Sequence, residues 1–197
     1  MSSPDSVRDN LIAHIDAATA ALETEVPAIN AAAQRLARCL LDESRIFCCG
    51  TASAAMLAQH FTVKLMGRLE RERPGLPVFC LSDSAALMSA LAENFGAQDV
   101  FARQLRALGM AGDVLVIVAS GSLASAFQAI VAAHDRGMDV IVFSGREHDE
   151  LRQVLREEDI EINVATASLM RAEEVQFLLL NLLADEVEKN LFGDMHA

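Results

Sequence analysis

The chain has 197 residues, 52% of them apolar, and a formal net charge of −12. That length suits one domain able to bury its own core, and the acidic balance argues against direct contact with a polyanion such as DNA. Nor is there a Trp or Tyr on which bases could stack, an apolar run near the roughly 18–20 residues of a membrane span, or a basic-then-apolar leader.

Residues 2–42 carry apolar side chains at helical spacing (Leu11, Ile12, Ile15, Ala18, Leu22, then Ile29, Leu36, Leu40). Pro27 is expected to kink this segment or split it into a helical hairpin. A long amphipathic stretch ahead of the first strand needs an apolar partner, which the sheet or another subunit can supply. Residues 1–44 therefore read as an oligomerisation segment and 45–197 as the main domain.

Residues 45–49 form a short apolar strand that stops at Gly50. A small-residue turn (Thr51, Ala52, Ser53, Ala54) then opens into a helix carrying Gln59, His60 and Lys64. Such a junction is a recurring anion site, because the first helical N–H groups lack intrahelical partners and the helix dipole adds positive charge. Strands follow at 78–81, 112–120, 140–143 and 160–164, with helices at 84–93, 99–108, 126–136, 151–157 and 169–192. Cys48 and Cys49 fall inside the first strand, and the four cysteines show no CxxC spacing. This usage suits buried, reduced thiols in a cytoplasmic protein and offers no metal site.

Five strands joined through helices predict an α/β fold, a five-stranded parallel sheet flanked by helices on both faces. Ligands of such folds bind beyond the carboxyl ends of the strands, where the turns 50–54 and 119–125 both fall. Without a GxGxxG motif, two hydroxyl-bearing turns suit a small phosphorylated ligand better than a dinucleotide. The donors are Thr51, Ser53, Ser120, Ser122 and Ser125.

The segments CCGTASAAMLAQHF, LMGRLERERPGLP, ALGMAGDVLVIVAS, RGMDVIVFSG and DIEINV resemble the sugar isomerase (SIS) domain family. Within it they are similar to phosphoheptose isomerases and to their non-enzymatic relatives, the DnaA initiator-associating proteins of the DiaA type. The resemblance spans residues 5–192. It implies the SIS fold, a homotetramer packed through its long terminal helices, and a sugar-phosphate pocket at the strand ends.

The resemblance also implies zinc-assisted aldose–ketose isomerisation for the enzymes, and here this sequence departs. The enzymes' HFAEEL is HFTVKL, which keeps His60 but puts Lys64 at the catalytic, metal-binding carboxylate. Their RIQEIH is RAEEVQ, so Glu173 replaces a Gln and Gln176 a His, and Asn181 stands where a further His falls. The enzymes' GNGGS and STSGNS turns are altered as well. One imidazole without its partners is a poor zinc site. The expectation is therefore a non-catalytic scaffold of the DiaA type, binding a DnaA-type initiator and no cofactor, with Leu191 and Phe192 either docking that partner or packing on a neighbouring subunit. The alternative is a divergent phosphoheptose isomerase using His60 and Glu173, with zinc as its implied metal.

Overall fold

The computed structural model describes residues 4–120, 123–145 and 149–193. A single helix, α1 (Pro4–Leu41), leads into β1 (Ile46–Gly50), α2 (Ala55–Met66), β2 (Val78–Cys80), α3 (Ala85–Phe95) and α4 (Val100–Leu108). The second half runs β3 (Val114–Val118), α5 (Ala124–Asp135), β4 (Asp139–Ser144), α6 (Asp149–Arg152), β5 (Ile160–Asn163) and α7 (Leu169–Phe192). The sheet order is β2-β1-β3-β4-β5, with every pairing parallel. This is the α/β SIS arrangement expected.

The strands alternate cleanly between two cores. Ile46, Cys48, Val114, Val116, Val118, Ile141 and Phe143 face α1, α2 and α7. Phe47, Cys49, Leu115, Ile117, Val140 and Val142 face the other layer, where Phe101, Leu105, Ala129 and Ile130 of α4 and α5 cover them. Burial on both sides explains why IFCCG and VLVIV read as continuous apolar runs rather than alternating ones. Burial also pushes the thiols up, Cys80 to about 11 and Cys39 to about 12, so they remain protonated packing groups at neutral pH.

Two expectations about helices need correction. The amino-terminal segment is one 38-residue helix and not a hairpin, with Pro27 inside it. A proline in a helix interior costs about 3 kcal/mol. Here it is flanked by helix faces that bury Ala21, Ile29, Ala32, Ala33 and Leu36 in the same core as α7, so tertiary packing carries the helix through. Near residue 150, by contrast, the helix ends at Arg152. Downstream, the Asp159 carboxylate accepts Arg156 N–H at 2.7 Å and meets His134 Nε2 at 2.9 Å, a local turn that competes with helix propagation.

α2 and α7 run side by side in the same direction, since Ser53 meets Glu173 just ahead of α2 and His60 meets Asn181 further along both. Beyond α2, Arg73 locks the pair. Its side chain is 2% exposed and donates to Glu188 Oε1 at 2.7 Å and to the carbonyls of Lys64, Leu65 and Gly67. It therefore caps the end of α2 while neutralising a buried carboxylate on α7.

The turn after β1 is built on a close approach. A Cβ on Gly50 would stand 2.1 Å from the Ala54 carbonyl oxygen, and Ala52 holds φ at 49°, in the left-handed region.

Two stability outcomes follow from these contacts. Glu188→Ala strands a buried guanidinium and should cost about 3–5 kcal/mol in denaturant unfolding; a loss below about 1 kcal/mol would show that the pair is dispensable. In the turn the signs are opposite. Gly50→Ala should destabilise by about 1–3 kcal/mol through overpacking, whereas Ala52→Gly should relieve up to about 1 kcal/mol of left-handed strain. Thermal melts of both variants check the pair of signs.

Candidate functional site at the switch point

From β1 the chain adds β2 on one side and then β3 on the other, so the strand order reverses between β1 and β3, and a crevice opens there beyond the strand ends. Gly50 pairs with Val118, so the turns that follow start side by side. Thr51 clasps them. Its buried hydroxyl accepts from Ser120 N at 2.7 Å and donates to the Ser120 carbonyl.

Glu173, one turn into α7, reaches this point. The hydroxyls of Ser53 and Ser120, one from each turn, both donate to its Oε1 at 2.5 Å. Two hydroxyl donors on one carboxyl oxygen fix the orientation of the group. Oε2 has no hydrogen-bond partner among the described residues. Ser168 caps α7 by accepting from Arg171 N, which fixes where the helix begins and so where Glu173 stands.

The first turn also borders a cleft of ≈ 380 Å³ lined by Gly50, Thr51, Ala52, Ser82 and Ser125, with Met88 and Phe101 of α3 and α4. Ser82 Oγ is buried beside the Cys80 thiol, with no other hydrogen-bond partner among the described residues, and such a hydroxyl can serve a ligand or water.

The structure thus brings Ser53, Ser120 and Glu173 together, places Ser125 on the cleft and spends the Thr51 hydroxyl on the clasp. Ser122 lies outside the described residues. His60 is elsewhere. Its Nε2 stands 2.8 Å from Asn181 Oδ1, and its ring lies 4.4 Å from that of Phe177. Asn181 is eight residues along α7 from Glu173, about 12 Å at the helical rise, so His60 and Glu173 are separate stations on one helix pair. Leu191 packs against the core, and Phe192 is under the Arg71 guanidinium, which donates to the carbonyls of Phe192 and Gly193.

One residue of the cleft and the burial of one motif position escaped the sequence reading. Ser82 follows an apolar strand and has no motif, and for Gln176, read as a lost His, nothing in the sequence shows that it is buried (1% exposed) with both amide atoms unpaired among the described residues. Only the packed fold places Ser82 on the cleft and Gln176 beside Gly145 at the end of β4.

The fold does not fit the implied zinc through these residues. Asn181 Nδ2 donates to the Phe177 carbonyl at 3.1 Å, so Oδ1 faces His60 and Nε2 must carry a proton toward it. Lys64 brings an ammonium to the position of a carboxylate, and among the described residues no group of three or more His, Cys, Asp or Glu is placed to hold a metal.

Comparison with known proteins identifies the relatives. The SIS domain family model matches residues 12–145. The phosphoheptose isomerase of Methylococcus capsulatus is 42% identical over 195 residues, covering 98% of this chain and all of that one. The structure of a phosphoheptose isomerase from Francisella tularensis superposes with a TM-score of 0.91 at 32% identity over 96% of this chain and 100% of its own. That of phosphoheptose isomerase GmhA from Neisseria gonorrhoeae gives 0.88 at 31% over 94% of this chain and 98% of its own.

These findings overturn the expectation of a DiaA-type scaffold for the DnaA initiator. That reading weighed the lost imidazoles and carboxylate of two short motifs, whereas the full-length relatives are named as isomerases and a carboxylate, Glu173, is seated at the crevice after all. The chain belongs to the SIS-domain family, among relatives named phosphoheptose isomerase.

Proposed function

We propose that this chain is a sugar-phosphate isomerase of the phosphoheptose isomerase kind, interconverting the ketose and aldose forms of a phosphorylated heptose such as sedoheptulose 7-phosphate. The observation that carries the reading is the Glu173 carboxylate, held through Oε1 by one hydroxyl from each turn at the switch point, with no partner on its second oxygen among the described residues.

In this reading the phosphate lies in the cleft beside Ser82 and Ser125, near the first turn of α5, where unpaired backbone N–H groups and the helix dipole favour an anion. Glu173 takes a proton from the ketose C1. The C–H electron pair becomes the C1–C2 double bond as the carbonyl oxygen gains a proton. Return of a proton to C2, with loss of the O1 proton, completes the aldose. A positioned base of this type contributes about 10²–10⁴-fold to rate. Ser53 and Ser120 hold the carboxylate in one orientation, which is what gives proximity its value.

We also propose that the apolar face shared by α1 and α7 is covered by further copies of the chain. Leu11, Ile12, Ile15, Leu22 and Val26 on α1 and Leu178 and Leu182 on α7 are exposed, and a groove of ≈ 430 Å³ runs between the two helices. Apolar surface of this extent is uncommon on a solitary domain.

In a coupled assay with sedoheptulose 7-phosphate, wild-type protein should turn over and Glu173→Gln should lose about 10²–10⁴-fold in kcat, with KM changed far less. Equal rates for the two would refute Glu173 as the base, and no wild-type turnover would refute the isomerase reading. Light scattering at micromolar concentration should return about four times the mass of one chain; a monomer there refutes the assembly.

A further inference from the structure

We propose that this chain works without a resident divalent metal, because Lys64 and Asn181 have turned the facing turns of α2 and α7 from a ligating set into a hydrogen-bonded clamp. The donor set argues this atom by atom. A metal takes an imidazole through a nitrogen lone pair, and a neutral imidazole has one lone-pair nitrogen and one N–H. The Asn181 amide is oriented by its own bond to the Phe177 carbonyl, so it offers Oδ1 to His60 and places the proton on Nε2. The Phe177 ring packs against the same imidazole, centroids 4.4 Å apart and tilted by 42°.

One turn further along α2, on the same face as His60, stands Lys64. It is half-buried and has no ion-pair partner among the described residues. An ammonium there repels a dication and cannot ligate one while protonated. Glu173 stands eight residues before Asn181, about 12 Å of backbone rise along α7, and its Oε1 is committed to Ser53 and Ser120 rather than to the His60 station. His14, the imidazole of α1 that reaches α7, faces Glu174 instead.

The experiment counts metal directly. Intact wild-type protein is incubated with excess zinc, gel-filtered and analysed by atomic emission. It should retain far less than one zinc per chain, and His60→Ala should not change that. The double variant Lys64→Glu/Asn181→His restores two ligands beside His60 and should retain one zinc per chain. Retention of one zinc by the wild type, released by His60→Ala, overturns the proposal; so does a folded double variant that stays metal-free, since Lys64 and Asn181 would then not be what excludes the ion. Should the double variant not fold, the single variant Asn181→His takes its place, with zinc affinity in chelator competition expected to exceed that of the wild type; no gain overturns the proposal. A second measurement rests on the isomerase reading: turnover in excess chelator should equal turnover in zinc. Absence of turnover in both buffers counts against that reading alone, while the metal count decides this one.

Discussion

The clasp between Thr51 and Ser120 is the contact on which the site depends. Parallel neighbours β1 and β3 end at the same level, and from there the chain leaves in two directions. Nothing in the ladder itself relates the two turns to each other beyond Gly50 and Val118. Thr51 does so with one hydroxyl, accepting from Ser120 N and donating to its carbonyl. Because Thr51 is 4% exposed, water does not compete well for either bond. With the turns tied, Ser53 and Ser120 stand on either side of a single oxygen of Glu173, and α7 is pinned to the sheet edge by its second turn.

The helix pair extends that constraint downward. Three contacts step along α2 and α7 in order: Ser53 with Glu173, His60 with Asn181, and Arg73 with Glu188. The first is at the crevice, and the last is buried and structural. The middle one, like the last, ties a side chain of the α2 segment to α7, and it has the Phe177 ring beside it. Reading it as a strut explains why Asn181 and Lys64 can coexist with His60: a strut needs one donor and one acceptor, and the ammonium a turn away disturbs neither.

Much of the architecture was legible in the sequence. The runs around 46–50 and 114–118 carry no polar residue, which only strands covered on both faces tolerate, and the closing helix runs from Leu169 to Phe192 where its pattern placed it. Pro27 misled because a local rule was outweighed by packing: the alanine-rich flanks of α1 fit against α7 too closely for the helix to break. The site was legible as a region and not as a set of partners. Ser53, Ser120 and Glu173 were all candidates, yet no spacing rule joins residues 53, 120 and 173; the register of β1 against β3 and the placement of α7 do that. Thr51 was read as a ligand donor, although its hydroxyl is occupied by the main chain of Ser120.

Function was misread for a related reason. Motif positions were treated as a checklist, so Lys64, Gln176 and Asn181 counted as three losses and outweighed similarity along the whole chain. Substituted residues in contact with one another are not independent losses. His60 and Asn181 touch, and Lys64 lies a turn beyond His60 on the same face, so they describe one altered station on the helix pair. Glu173 belongs to a different station, about 12 Å away and held by different elements. What the changes at the His60 station report is how that station is built, and they leave the Glu173 carboxylate at the crevice, held by the turns of the switch point, where the proposed proton transfer on a sugar phosphate would need it.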